Sequence, residues 1–536
     1  MQISRRDLFR SSAAIGAAAT LTGSGSLAAE AVAGPVARPV ARAGADGTTR
    51  TTVLGKGPAG PGGYRPVVSK PGESYVVRAG IGAKAKSGRG KRRKPLLTFV
   101  QLSDVHILDA QSPLRLELGE IVSSSAYRPQ EMLTGQVADA MVRHINEIGG
   151  GPVLGKPLAL AIQTGDNSDT GQYNELRWNI DLLDGGEVTV DSGDPARYEG
   201  VMDGEPAFYD TTFWHPEGTP AGKEDDKPRA LYGFPLVPGL LDAARAPFTA
   251  EGLKMKWLTA MGNHDGLVQG NWAHSPAYQA QAVGTVKKTS KGDRTITADP
   301  NRRLLSRTEW VEEHFTTTGL PEGHGFTQEN VDTGTAYYTF DQGLVRFVVL
   351  DTVSQFGDKG AMYDDQFAWL KKTLGASGNK LIILASHHPL ASFEDTARAD
   401  KIERELLKHD NVIAWVNGHT HTNHIWAHKR VTGTGKDKKV ANGFWEINTA
   451  SHIDWPQQSR LLEVANNKDG TLSIFTTMVD HGAPLTWDGD LTDSLQLAAL
   501  GRELALNDWQ ERDHHRGGNR SDRNTELILK APAFLR

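Results

Sequence analysis

Cysteine is absent from the 536-residue sequence. That excludes disulfides, thiolate metal sites, cysteine nucleophiles and a lipid-bearing anchor cysteine. Any metal must therefore sit on His, Asp, Glu or Asn. Long apolar runs are missing too: beyond residue 30 none approaches about 18 uncharged apolar residues, so nothing there reads as a membrane-spanning helix. Positive charge is scarce outside the N-terminal fifth. Residues 1–100 carry 17 Lys and Arg against 4 Asp and Glu, whereas residues 101–536 carry 42 against 60. A body of that sign is a poor match for nucleic acid but tolerates a small anion held by a local positive centre. With 58 Gly and 26 Pro the composition is that of a loop-rich globular chain, long enough for several domains or one large domain with insertions.

The N-terminus reads Ser4-Arg5-Arg6-Asp7-Leu8-Phe9-Arg10, followed by a small apolar stretch and an Ala31-Val32-Ala33 site. A charged head, a modest apolar region and an Ala-x-Ala close describe a secretory signal peptide over 1–33, and the arginine pair resembles a twin-arginine signal. The expectation is an exported, extracytoplasmic protein handled by the twin-arginine export machinery. Residues 34–94 are basic and rich in Gly, Pro and Ala, a linker or surface-hugging arm whose closing run Lys91-Arg92-Arg93-Lys94 reads as solvated charge.

From residue 95 apolar runs of strand length alternate with helical patterns. Strands are predicted at 96–103, 158–164, 256–261, 344–350, 380–386, 412–417, 443–448 and 459–465. Several are continuous apolar runs, as expected where both faces are buried. Leu133, Val137, Met141 and Ile145 form a helical stripe, and further helices are predicted at 364–375, 397–408 and 491–506. The fold class is α/β. One domain over 95–485 is interrupted by insertions at about 170–255 and 267–333, and 486–536 reads as a C-terminal helix with a polar tail.

Five of these strands run straight into metal-type side chains: Asp104-Val105-His106, Gly165-Asp166-Asn167-Ser168-Asp169, Gly262-Asn263-His264-Asp265, His387-His388-Pro389 and Gly418-His419-Thr420-His421. Ligands of layered α/β sheets gather outside the carboxyl ends of strands, so the five clusters should meet at one rim. In an extended segment residues i and i+2 point the same way, so Asp104 with His106, and His419 with His421, could each grip one ion. The glycines before Asp166, Asn263 and His419 would allow tight turns. Oxygen and nitrogen donors favour Mn, Fe or Zn.

This order of blocks resembles the calcineurin-like metallophosphoesterase superfamily, in an exported bacterial branch with large insertions. All five blocks are present from 104 to 421, without a substitution. The resemblance implies a four-layer α/β/β/α sandwich, two divalent metal ions (Mn, Fe or Zn) and hydrolysis of phosphodiesters or phosphomonoesters by direct attack of metal-bound hydroxide. It implies Asp104, His106, Asp166 and His421 at one ion, with Asp166 bridging to a second completed by Asn263, His387 and His419. Two divalent ions less the Asp104 and Asp166 carboxylates and a hydroxide leave a net positive charge for phosphate, a surplus that the neutral Asn263 preserves. His264 is then the group that stabilises phosphoryl oxygens or protonates the leaving alkoxide, with Asp265 orienting it. Asp169 is expected to hydrogen-bond a ligand histidine.

His106 and Asp169 set the chain apart from purple acid phosphatases, and Thr170-Gly171 from protein serine/threonine phosphatases. The compact blocks look most like bacterial phosphodiesterases. His388, Asn423, His424 and 448–452 could line the pocket. Trp178, Trp214, His215, Trp272 and His274 could stack on substrate, although packing suits these aromatics equally. His514-His515 reads as solvent-exposed. The rival readings are a non-catalytic, metal-stabilised binding protein of the same fold and a nuclease of the same superfamily. The partners expected are a small phosphoester and the export machinery, not nucleic acid.

Overall fold

A computed structural model describes residues 47–84, 86–121, 123–511 and 514–536. The predicted signal peptide and the first part of the arm lie outside the described residues. Numbering only the strands of the two large sheets, β1 is Val76–Arg78, β2 Lys94–Leu102, β3 Leu160–Thr164, β4 Lys256–Ala260, β5 Tyr338–Gln342, β6 Val345–Val349 and β7 Leu381–Ala385. They continue with β8 Val412–Asn417, β9 His424–Thr432, β10 Lys439–Asn448, β11 Gln458–Asn466, β12 Thr471–Asp480 and β13 Thr525–Lys530. One sheet has the order β1-β13-β12-β11-β2-β3-β4 and the other β5-β6-β7-β8-β10-β9.

The continuous apolar runs are continuous because the two sides of each strand serve different cores. In β7, Leu381, Ile383 and Ala385 belong to the core shared by the two sheets. Ile382 and Leu384 between them face a second core with Leu370, Leu374, Ile402 and Leu406. Those four come from helices α3 (Asp364–Gly375) and α4 (Thr396–Leu406), numbering only the five longer helices and counting α1 and α2 below. The sheets meet face to face, with Phe99 of β2 edge-on to Phe347 of β6 at 5.3 Å. On the outer side of the first sheet lie α1 (Thr134–Ile148), α2 (Tyr173–Asp184) and α5 (Ser494–Asn507). Gly501 lets α5 approach α1 closely, since a Cβ there would stand 3.2 Å from Val137. This is the α/β/β/α layering expected.

The eight predicted strands and four predicted helices are all present. Two boundaries need correction. Residues 486–536 are not a helix with a polar tail, because β13 lies inside the first sheet, antiparallel to β12 and parallel to β1. Nor is the basic stretch before residue 95 wholly a solvated arm. Arg89 and Arg93 both pair with Glu526 of β13, and Arg93 lies over the Phe475 ring at 4.5 Å. The charges that made each segment look solvent-exposed neutralise one another across more than 430 positions of chain.

The first insertion is packed onto the body of the domain. It contributes Tyr198, Met202, Phe213, Trp214 and Phe234 to a cluster with Tyr127 and with Leu497, Leu500 and Leu504 of α5. Trp178 is buried with Leu182 and Val188. His215 is buried against the backbone carbonyls of Met202, Asp203 and Asp210. These three aromatics therefore pack and do not line a substrate pocket. No helix among the described residues is long and apolar enough to cross a membrane.

Candidate metal centre

Strands β2, β3 and β4 are parallel neighbours in one sheet, as are β7 and β8 in the other, so all five motif-bearing ends open at the same rim. The local backbone differs from the extended geometry expected. Asp104, His106, Asp166, His419 and His421 all have positive φ, between 49° and 70°. The i and i+2 side chains are thus aimed by left-handed turns, not by strand alternation. Such conformations cost a non-glycine residue about 1–2 kcal/mol each and persist where the surroundings over-determine them.

The glycines act mainly by close approach. Only Gly165 has positive φ, at 87°. A Cβ on Gly262 would lie 2.2 Å from the Asp166 amide nitrogen, and one on Gly418 would lie 1.9 Å from Ser103 Oγ and 2.2 Å from Asp104 Oδ2.

The folded chain brings the expected residues into two overlapping sets. His106 Nε2 is 3.2 Å from His421 Nε2, and His421 Nε2 is 3.3 Å from Asp104 Oδ1. Asp166 Oδ2 stands between the sets, 3.7 Å from His106 Nε2 and 3.1 Å from His387 Nε2. His419 Nδ1 lies 3.3 Å from His387 Nε2. Asp104, His106 and His421 form one group able to hold an ion, and Asp104, Asp166 and His387 another.

Asn263 tests whether an ion fits. Its Nδ2 donates to the Gly270 carbonyl at 3.1 Å, while its buried Oδ1 has no hydrogen-bond partner. A buried acceptor without a donor costs about 1–3 kcal/mol, so this oxygen suits a cation. The donor set is nitrogen and oxygen only, as Mn, Fe or Zn prefer.

The ligand histidines are held from behind. His106 Nδ1 meets Asp169 Oδ1 at 2.9 Å, and Arg115 Nη1 donates to the other Asp169 oxygen at 2.9 Å. His387 Nδ1 donates to the Thr164 carbonyl at 2.9 Å. His421 Nδ1 meets Asp454 Oδ2 at 2.5 Å, and Asp454 in turn accepts from Arg128 Nε at 2.5 Å. Asp169 was legible in its motif. Asp454, Arg115 and Arg128 were not, since they belong to no short pattern and meet their partners only in space.

The field of this pocket calls for positive charge. Burial opposes the cationic form of His387, yet Asp166 outweighs it and raises that imidazole to about 9. Burial likewise works against His264, but Asp166 and Asp169 raise it to about 9. His106, where burial dominates, falls to about 4 and so offers a neutral ring.

Asp265 does not orient His264. Its carboxylate accepts from Gly262 N at 2.8 Å, Ser168 N at 2.9 Å and Ser168 Oγ at 2.8 Å, tying the Asn263 turn to the Asp166 turn. His264 is anchored instead by Asp169, whose carbonyl lies 2.7 Å from Nδ1 and whose Oδ1 lies 3.4 Å from it. The expected pocket-lining residues divide. His388 is buried with its ring 4.4 Å from that of His419. Asn423 is structural, bonded to Gln458 and Arg460. His274 packs beside Gly171, and His514 is exposed and paired with Glu511.

A buried pocket of two carboxylates, four imidazoles and an unpartnered amide oxygen at the ends of five parallel strands defines a metal-dependent phosphoesterase. Residues 238–423 match the family model of calcineurin-like phosphoesterases, so this stretch carries a domain of that kind. The matched stretch holds Asn263, His387, His419 and His421. The fold supplies Asp104, His106 and Asp166 from outside it. No curated protein matches the chain. Among solved structures, a dimetal phosphatase from Danio rerio is similar at 13% identity, covering 72% of this chain and 100% of that one, with a TM-score of 0.34. PhoD is similar at 12% identity over 77% of this chain and 68% of that one, TM-score 0.31. A purple acid phosphatase of yellow lupin follows at 10% identity over 76% and 53%, TM-score 0.28.

Proposed function

We propose that the protein is an exported enzyme that hydrolyses small phosphomonoesters or phosphodiesters at a pair of divalent metal ions. Asp104, His106, Asp166 and His421 would hold one ion, and Asp166, Asn263, His387 and His419 the other. Two such ions supply Lewis acidity and a water that is nucleophilic at neutral pH. The observation that carries this reading is the shared position of Asp166 Oδ2 between the two histidine groups, beside an Asn263 oxygen that nothing in the chain satisfies.

The chain's own contribution is placement. Asp169 grips His264 through Nδ1, which leaves Nε2 as the atom that meets the phosphoryl oxygens or delivers a proton to the leaving oxygen. The backbone N–H of His264 donates to Asp166 Oδ1 at 2.8 Å, so acid and shared carboxylate move as one unit. Export is supported by the Arg5-Arg6 pattern, and a reporter fusion should lose export when both arginines become lysine.

The decisive experiment measures metal content and hydrolysis of p-nitrophenyl and bis-p-nitrophenyl phosphate together. EDTA should abolish activity. Asp166→Ala should lose both ions, whereas His264→Ala should keep them and turn over about 10²–10⁴-fold more slowly. Full activity after complete metal removal would overturn the proposal.

A further inference from the structure

Phe356 is 75% exposed, the highest value of any large apolar side chain among the described residues. Its position is built. Ser354 Oγ accepts from the Phe356 N–H at 3.2 Å and donates to the Phe356 carbonyl at 2.6 Å, so the backbone is fixed while the ring stands in solvent.

The loop that carries Phe356 is strung between the two flanks of the metal pocket. On one side the Gly357 N–H donates to the Asn271 carbonyl at 3.1 Å. Asn271 follows Gly270, which touches the His264 ring so closely that a Cβ would stand 2.4 Å from it. On the other side the Asp358 carbonyl accepts from His388 Nε2 at 3.1 Å. The His388 ring packs on His387 at 4.7 Å and on His419 at 4.4 Å. A second aromatic joins the same loop: Tyr363 is 48% exposed and its hydroxyl accepts from Gln355 N at 3.3 Å.

A phosphoester held at the metal pair by its phosphoryl group, with its organic group leaving over His264, would lay that group across this loop. A rigidly mounted, solvated phenyl ring gains free energy only when something apolar covers it, and a flat π-system covers it best by offset stacking. From this geometry we infer that Phe356 is a specificity-determining wall of the substrate pocket, selecting phosphoesters whose organic group is aromatic. This rests on the phosphoesterase reading above.

The test uses the metal-loaded full chain as wild type, Phe356→Ala and Phe356→Trp. Kinetic constants are measured for p-nitrophenyl phosphate, and inhibition constants for phenylphosphonate, methylphosphonate and inorganic phosphate. Phe356→Ala should raise KM for the aryl ester and weaken phenylphosphonate by about tenfold, with kcat, metal content and the other two inhibitors unchanged. Phe356→Trp should restore the aryl values. Equal effects on phenyl- and methylphosphonate, or no effect on either, would overturn the inference while leaving the phosphoesterase standing. A metal-loaded wild type inert toward the ester would sink the phosphoesterase reading itself and Phe356 with it.

Discussion

Replacing Asp454 by Asn separates what holds the metal pocket in shape from what binds in it. Asp454 is fully buried, accepts from His421 Nδ1 and Arg128 Nε at 2.5 Å each, and lies 3.5 Å from Arg516. It meets His421 at Nδ1, the ring nitrogen turned away from Asp104 and His106, so its influence runs through the orientation and basicity of that ring. Removing such an outer carboxylate typically costs 10–100-fold in metal affinity, or about 1.4–2.7 kcal/mol. The same substitution strips a buried guanidinium of its counter-charge, for which complete loss of one partner costs about 3–5 kcal/mol. Asn keeps the shape and one acceptor, so the stability loss should fall below that range. Competition with a metal-binding dye reads the affinity, and thermal unfolding of the metal-free protein reads the stability. Arg128→Gln breaks the same ion pair but leaves the carboxylate on His421. It should lose comparable stability and much less affinity. Equal affinity losses in the two variants, or none in Asp454→Asn, would refute the argument that the carboxylate positions the ligand.

Two further outcomes follow from single contacts. Gly270→Ala places a methyl 2.4 Å from both Asn263 Nδ2 and the His264 ring, and should cut turnover at least about tenfold in a steady-state assay. Gly343→Ala, also at positive φ but facing open space, bears the same backbone cost and should leave activity intact. His428 sits between Glu403 and Glu446 at 2.7 and 2.8 Å. Burial disfavours its charge, but hydrogen bonds that its two ring N–H groups donate to the carboxylates outweigh it and raise its pKa to about 9. Because the folded value lies above that of the unfolded chain, this contribution to stability is complete below about pH 6.5 and is lost as pH rises through about 9. Denaturant unfolding of His428→Gln should show a smaller fall in stability than wild type between those limits.

Most central strands were legible because burial on both faces leaves continuous apolar runs such as Leu381–Ala385. Strands β1, β5, β9, β12 and β13 were not. Buried β12 alternates threonine and serine with its apolar residues, β9 is an edge strand carrying Lys429 and Arg430, and β13 hides Glu526 among arginines from the far end of the chain. The five ligand blocks meet at one place in the fold, but through turns and not through the strand alternation expected. Asp and His enter the left-handed region more readily than most residues but still uncommonly, so the conformations of Asp104, His106, Asp166, His419 and His421 carry no signature in the sequence.

By itself, then, the order of amino acids determined the chemistry of this protein: which donors exist, that cysteine thiolate is not among them, and that they sit where strands end. Those facts are local and follow from residue type and short spacing. Tertiary structure alone decided what each donor does. It turned Asp265 from a partner of His264 into a brace between two turns, recruited Asp454 and Arg128 to stand behind His421, and set Phe356 beside the pocket. Such roles depend on distances between residues far apart in the chain. Packing of the two sheets fixes those distances, and no spacing along the polymer encodes them.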